Sequence, residues 1–595
     1  MAGELPNSAI ADALEELGDL YELDGAIVHR VLAYRSAARS VREAPVSVAG
    51  LARSGRATEL PGVGETLQEK ILALLDTGTI PAAEKLRARV PAGLIALTRL
   101  PSLGPKRARL LHSQLGVDSL ETLREAALAG RLRTVKGLGA KFETSVLDSL
   151  NKMPAHPADR QAPRLLLPNA LGLGRALADG LTERGGAGTD VRIAGSARRM
   201  ADSVKDIDLI AVTRKPVTLA KSLAALPEIE SVASTGKAGA KARTHSGMSV
   251  DLRIAKPSQL GNLLQHFTGS GRHNAALRET AVRRGLHVSE YGVYDDATGT
   301  TTTCASEQEV YALLGLAYIE PELRENRGEL AAAGLNHARP GAGLPQLIEL
   351  SDIKGDLHCH TVASDGHHTI KEMALGARER GYEYVAITDH SASHGFGDDV
   401  SPEQLREQIE RVRDVDALIE GIRVLAGSEV NILPDGSLDY EDDLLAELDW
   451  VIASVHTAFG MSEQAMTERM IAAVEHPLVD AIGHPTGRLI ERREPYALDV
   501  QALIEAAKRS ATMLEINANP DRRDLNDIHA RAAAQAGVRI LIDSDAHWVE
   551  RFEVMRWGVA TARRAWLTAG DVANTRPWGE FAKLRKRERS GQPHT

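Results

Sequence analysis

From residue 353 onward, short apolar runs alternate with helical stretches, and nearly every run is followed by a histidine or a carboxylate. The runs are Tyr384-Val-Ala-Ile-Thr, Arg423-Val-Leu-Ala-Gly, Trp450-Val-Ile-Ala-Ser-Val, Thr512-Met-Leu-Glu-Ile-Asn and Val538-Arg-Ile-Leu-Ile-Asp. This rhythm predicts a parallel βα barrel or a doubly wound sheet. The polar residues that follow are His358, His360, Asp365, His390, Glu429, His456, His484, Asp545 and His547. In a βα barrel the C-terminal ends of the strands meet at one mouth. Nine N/O ligands there suit a cluster of divalent cations such as Zn²⁺ or Mn²⁺. Such cations supply Lewis acidity and acidify a water for attack on a phosphate ester. Cys359 points to the other side of its strand and reads as a packing residue. His367, His368 and His394 stand beside the ligands, either lining a substrate groove or as solvated loop histidines.

A chain of 595 residues exceeds the roughly 250–300 at which a single core stops growing, so three to five domains are expected. The net charge of −10 argues mildly against a nucleic-acid binder. That total is uneven. Residues 1–350 carry 43 Lys and Arg against 39 Asp and Glu, while residues 351–595 carry 28 against 42. Twelve of the 20 histidines and all five tryptophans also lie in the second part. The split predicts two machines joined near residue 350 and leaves DNA open as a partner of the first. Two distant cysteines, Cys304 and Cys359, make no CxxC pattern and fit a reducing cytoplasm. No secretory signal and no membrane-length apolar run is visible. The basic tail Lys583-Leu-Arg-Lys-Arg-Glu-Arg589 reads as a solvated, frayed terminus.

Residues 1–150 show helical spacing, for example Ile10, Leu14, Leu17 and Leu20. Leu60-Pro-Gly-Val-Gly64, Leu100-Pro-Ser-Leu-Gly104 and Val135-Lys-Gly-Leu-Gly139 repeat one turn, with Ser102 replacing a glycine in the second copy. Gly62, Gly64, Gly104, Gly137 and Gly139 allow tight turns that aim backbone N–H groups at a phosphate. Lys106, Arg107, Arg109 and Lys141 follow. Three copies predict sequence-independent contact with the DNA backbone.

After a Pro-containing linker at 153–163, short β-branched runs mark an α/β region. Asp206 and Asp208 are two apart, which on a strand puts both carboxylates on one face. Asp251, in a second alternating strand, could join them. Three converging carboxylates are costly unless divalent cations neutralise them, and two such ions are a device for phosphoryl transfer. Gly195, Ser196 and Arg199 would hold the phosphates.

The segment Gly195–Asp208 resembles the nucleotidyltransferase signature of family X DNA polymerases. The likeness continues through Gln265-His-Phe-Thr-Gly-Ser270, His273-Asn274, Arg278 and Gly285–Gly292, and backward to Leu60–Gly64 and Ala33-Tyr34-Arg35. The order HxH, D, H, E, H, H, DxH resembles the polymerase and histidinol phosphatase (PHP) family. Together these imply helical helix-hairpin-helix domains at 1–85 and 86–155, a nucleotidyltransferase palm at 164–258 and a thumb at 259–328. A linker at 329–352, a distorted βα barrel at 353–575 and a basic tail at 576–595 complete the organisation.

The resemblance implies that Asp206, Asp208 and Asp251 are catalytic and bind Mg²⁺ or Mn²⁺, with Asp251 helping to deprotonate a primer 3′-OH. It makes Ser196 and Arg199 triphosphate contacts. Phe267, Gly269, Asn274 and Arg278 become nucleotide or DNA contacts, and Lys70 the lyase Schiff-base lysine. His266 stands where an aromatic Tyr is usual, Lys205 where a Gly is, and Thr66 replaces a phosphate-binding lysine. The PHP likeness makes the nine residues of 358–547 the ligands of up to three Zn²⁺ or Mn²⁺ ions. The implied protein is a monomeric, cytoplasmic, gap-filling DNA repair polymerase using dNTPs on gapped or nicked DNA, without a membrane. Its barrel would supply 3′→5′ exonuclease activity, with abasic-site endonuclease or 3′-phosphatase activity as further options. The alternatives are a DNA end-processing nuclease using the polymerase half as a clamp, and a histidinol-phosphatase-like phosphoesterase.

Overall fold

The computed structural model describes residues 5–98, 100, 103–152, 164–334, 343–393, 399–586 and 588. The linker at 153–163, the centre of the linker at 335–342, Ser102 and His394 lie outside them. The chain forms two compact units. One comprises Met1–Leu165, Gly172–Arg192 and Lys205–Ile254; the other comprises Leu166–Leu171, Ile193–Val204 and Ala255–Thr595.

In the first unit, one apolar cluster runs from Ile10 to Leu150 through both expected helical domains. The described residues of the three sequence repeats share one hydrogen-bonding pattern. Val63, Leu103 and Leu138 donate their N–H to the carbonyls of Leu60, Leu100 and Val135 at 3.0, 3.1 and 3.0 Å. Gly64, Gly104 and Gly139 then accept from the N–H groups of Leu67, Arg107 and Phe142, in the first turns of helices Glu65–Thr77, Pro105–Leu115 and Ala140–Lys152. Gly62 and Gly137 have φ of +76° and +88°, so a side chain at either position would be strained.

The same unit carries a five-stranded sheet of β1 (Asp190–Ile193), β2 (Asp206–Val212), β3 (Ile229–Gly236), β4 (Gly239–Thr244) and β5 (Ser249–Ala255). The strand order is β1-β2-β5-β4-β3. Ile207, Leu209, Val250 and Leu252 face the core at 1% exposure or less. Period-two alternation therefore turns Asp206, Asp208 and Asp251 to the other face of two neighbouring strands.

The second unit holds the short helix Gly195–Arg198, helices Leu260–Thr268 and Gly271–Val282, and an antiparallel meander of β6 (Leu286–Ser289), β7 (Gly292–Asp295) and β8 (Thr300–Thr302). A buried ion cluster ties these together: Glu307 receives Arg198 at 2.6 Å and also Arg324, which is fully buried.

The barrel has seven parallel strands in sequential order: β9 (Gly355–Cys359), β10 (Tyr384–Ile387), β11 (Arg423–Asn431), β12 (Trp450–Ser454), β13 (Ala481–Ile482), β14 (Met513–Asn517) and β15 (Ile540–Asp543). A parallel bridge from Cys359 to Ala546 brings the last strand back to the first. Across that seam, Leu357 N–H donates to Asp543 and Ser544 N–H to Asp356. The strands bury both faces, which explains why they read as continuous apolar runs. Ile540 and Ile542 pack outward under the helices, while Leu541 joins Leu357, Tyr384, Leu425, Trp450 and Met513 in an inner cluster. Cys359 packs in the outer cluster as expected, and both cysteines are free and buried.

The inner cluster is completed by Phe581, Trp578 and Leu584. Phe581 stacks on Tyr384 at 4.8 Å, and Arg585, only 4% exposed, donates to the Asp449 carbonyl. This corrects the expectation of a solvated tail at Lys583–Arg589 for Leu584 and Arg585, while Lys583 is exposed. The charge run concealed an apolar plug that fills the barrel interior. Among the described residues, no helix is long and apolar enough to cross a membrane.

Candidate active sites

All nine predicted barrel ligands lie at or just beyond strand C-terminal ends. His358 is the penultimate residue of β9, with His360 and Asp365 in the loop after it. His390 follows β10, Glu429 lies near the end of β11, and His456 and His484 follow β12 and β13. Asp545 and His547 follow β15. His484 and Asp545 have φ of +28° and +53°, unusual for side-chain-bearing residues, so the backbone is strained where it aims them.

Glu429 is the hub. Its oxygens lie 2.9 Å from His390 Nδ1, 3.2 Å from His456 Nε2, 2.8 Å from His484 Nε2 and 3.3 Å from His358 Nε2. His360 Nε2 is 3.2 Å from Asp545, and His547 Nε2 is 3.2 Å from Asp365. Three groupings each bring their ligand atoms within 4.8 Å: His360, Asp365, His390 and His547; His358, His360 and Asp545; His390, Glu429 and His456.

Burial pushes the Glu429 carboxyl up, but His456, His358 and His390 hold it well below the usual range. Burial, with His547 and His390 adding to it, lowers His360 to about 4. Burial and Arg522 lower His484 to about 3. Both rings are therefore neutral at pH 7, the form that ligates cations. His358 Nε2, both ring nitrogens of His360, Glu429 Oε2 and His484 Nδ1 are buried without a hydrogen-bond partner among the described residues. Orphaned polar atoms at this density fit a multi-cation centre, because each would otherwise be costly to bury.

Two groups that support the ligands were not singled out from sequence. Glu515, fully buried on β14, accepts from His358 Nδ1 at 2.7 Å and from the His484 N–H at 2.5 Å. Asn517 donates to Asp545 at 3.1 Å. A glutamate inside the apolar run Met513-Leu-Glu-Ile-Asn was the available signal. Asp389, beside His390, accepts from Thr361 and Ser364 and so fixes the loop carrying Asp365.

In the sheet, Asp206, Asp208 and Asp251 line one cavity of about 510 Å³ with Lys241, Arg243 and Ser249. Arg253 grips Asp251 at 2.9 Å, and Lys241 stands directly across the ladder. Gly195 has φ of +65° at the start of its short helix, followed by half-buried Ser196. Arg199 donates to Glu325 and to the Thr268 carbonyl, both at 2.9 Å, so two of its three nitrogens are already engaged. The Asn274 amide donates to the carbonyls of His266 and Gly269 and accepts from Gln265, holding the turn after Phe267. A side chain at Gly269 would meet Asn274 at 2.4 Å, which explains the glycine. Arg278 is exposed on its helix. Lys106, Arg107, Arg109, Lys136 and Lys141 are exposed beside the hairpins, and Lys70 is half-buried on Glu65–Thr77.

The helix-hairpin-helix domain family matches residues 5–80 and the SAM-like helix-hairpin-helix tandem 94–152. The DNA polymerase beta thumb matches 263–325 and the PHP domain 356–519. A polymerase-beta-type thumb and sheet carboxylates, joined to a PHP barrel, define a family X DNA polymerase with an appended phosphoesterase domain. The DNA polymerase/3′-5′ exonuclease PolX of Bacillus subtilis (strain 168) is 38% identical over 576 residues, 96% of this chain and 98% of that protein. The chain belongs to the PolX family. Its barrel alone is similar to a probable phosphatase of Thermoanaerobacter sp. (strain X514), 33% identical over 261 residues, 40% of this chain and 97% of that protein. A probable phosphatase of Caldanaerobacter subterraneus is 35% identical over 204 residues, 32% of this chain and 75% of that protein.

Proposed function

We propose that this protein is a template-directed DNA polymerase that fills gaps during repair and trims DNA 3′ ends with its barrel. What supports the reading above all is the presence, in one PolX-family chain, of both a three-carboxylate cavity and a barrel mouth where three His/Asp/Glu groupings converge. Asp206, Asp208 and Asp251 would hold Mg²⁺ or Mn²⁺. Ser196 and Arg199 steady the triphosphate of a dNTP, and Asp251 accepts the primer 3′-OH proton. The nine barrel residues would hold up to three Zn²⁺ or Mn²⁺ ions. Bound cations supply the Lewis acidity for both phosphoester reactions.

The chain's own contribution is placement. Glu515 fixes the His358 ring, Asp389 fixes the loop of Asp365, and the repeated hairpins take gapped or nicked DNA by its backbone. Asn274 and Arg278 face the nucleotide and template, and Lys70 is the lyase candidate. Such a repair enzyme works as a monomer in the cytoplasm. The likeness of the barrel to probable phosphatases favours 3′-phosphatase activity as a second barrel reaction.

A 5′-labelled primer on a one-nucleotide gap tests this. In Mn²⁺, wild-type protein is expected to extend the primer with dNTPs and to shorten it without them. EDTA should abolish both reactions and Mn²⁺ should restore them. Persistence of either activity in EDTA would overturn the metal assignment for it.

A further inference from the structure

Among the described residues, the barrel mouth is most open at Asp365 and His547. Asp365 and His547 have side chains 39% and 24% exposed, whereas the other ligand side chains are at most 9% exposed. On that open side two aromatic rings lie against each other. His367 and Trp548 are stacked with centroids 5.6 Å apart and planes 20° apart. Each is adjacent to a ligand: Trp548 follows His547, and His367 is two residues past Asp365. His367 is exposed and Trp548 half-buried.

The backbone beneath the pair is stitched. His367 N–H donates to the His547 carbonyl at 2.7 Å, Val362 N–H to the His368 carbonyl at 3.0 Å, and Val549 N–H to His368 Nδ1 at 3.2 Å. Arg551 lies 5.3 Å from the Trp548 ring centre and is anchored on Asn519 at 2.9 Å. A partly exposed aromatic pair held on a fixed backbone beside the candidate ligands is a surface for a flat ligand.

We propose that His367 and Trp548 form a stacking platform for the base of the 3′-terminal nucleotide while its phosphodiester lies over the barrel ligands. This rests on the exonuclease reading of the barrel and names how the substrate end is gripped. Stacking suits such an enzyme because every base presents a π face, so any terminal nucleotide is held. Arg551 supports the ring from which the platform is built.

The test compares single-stranded DNA ending in a normal 3′ nucleotide with the same strand ending in an abasic 3′ nucleotide. Wild-type full-length protein in Mn²⁺ should prefer the normal end by about 5- to 100-fold in kcat/KM, the range expected for one stacked base. Trp548→Ala and His367→Ala should bring that ratio toward one, and Trp548→Phe should keep most of it. The ratio is internal to each variant, so a general loss of stability does not mimic the effect. Should Trp548→Ala be inactive, a cleavage-resistant strand ending in 3′-terminal 2-aminopurine decides. Its fluorescence should be quenched by wild type and not by Trp548→Ala. A wild-type ratio of one, an undiminished ratio in Trp548→Ala, or equal quenching by both proteins would overturn the platform. If wild-type protein shortens neither strand, the exonuclease reading itself falls, and the two failures are thereby told apart.

Discussion

Glu429 receives four imidazoles in a buried pocket, and that crowding governs what single substitutions at the barrel mouth do. The ligands are oriented by groups that touch no substrate, Glu515 foremost. Glu515→Ala removes the acceptor of His358 Nδ1 and of the His484 amide. It is expected to lower bound metal and 3′-end trimming by about 10- to 100-fold, as loss of a supporting partner does, while primer extension persists. Metal content per chain and end-labelled trimming measure this; unchanged metal content would contradict it. The nine candidate ligands stood out in the sequence because nearly all of them lie at or after a strand-like apolar run. Glu515 did not: its place inside an apolar run was a signal, but a single strand does not show which groups its carboxylate meets. The same limit applies to Asn274, whose amide secures the turn of residues 266–269.

At the scale of elements, the barrel interior is divided along its axis. Ligands and acids occupy one end, and Leu357, Trp450, Leu541 and the C-terminal plug fill the rest. Phe581→Ala should destabilise the barrel by about 3–5 kcal/mol, the usual cost of emptying a buried aromatic site, and lower its thermal midpoint. A neutral effect would mean that the plug is not part of the core. The Glu307 cluster is a second such element. Burial raises the Glu307 carboxyl, but Arg198 and Arg324 outweigh it and hold the group below its ordinary value. A group depressed in this way stabilises the fold fully above its unfolded pKa of about 4.3, and the contribution is lost as pH falls through the folded value. Glu307→Gln should therefore cost about 3–5 kcal/mol at pH 7 by leaving the buried Arg324 without its carboxylate. The difference from wild type should shrink below about pH 4. Denaturant unfolding at the two pH values checks this. Strand periodicity made the palm carboxylates legible, since Asp206, Asp208 and Asp251 alternate with core residues. The plug was not legible, because Trp578 and Phe581 precede a charge run that dominates the composition of the tail.

At the scale of the whole molecule, the charge step at residue 350 divides two chemistries rather than two compact bodies. The thumb and the segment Ile193–Val204 pack with the barrel in one unit. Arg563 meets Glu322 at 2.8 Å, Arg327 meets Asp527 at 2.8 Å, and Arg564 reaches Glu325 and the Arg199 carbonyl. Arg523, fully buried, donates to the Met200 carbonyl and pairs with Asp202, which also takes Arg488. Such pairings between residues hundreds apart leave no periodic trace in a single sequence. They brace the stretch that leads into Asp206. Arg523→Ala is expected to lower the thermal midpoint and to raise KM for the incoming dNTP more than it lowers kcat. An unchanged KM would show that the brace is purely structural. The central claim is that two separate centres, one of carboxylates and one mainly of histidines, act on the same class of substrate. The most direct measurement gives a 5′-labelled gapped primer–template and Mn²⁺, with and without dNTPs, to Asp206→Ala/Asp208→Ala and to His358→Ala. The first variant is expected to trim without extending, and the second to extend without trimming. Extension by the first, or trimming by the second, would contradict that claim.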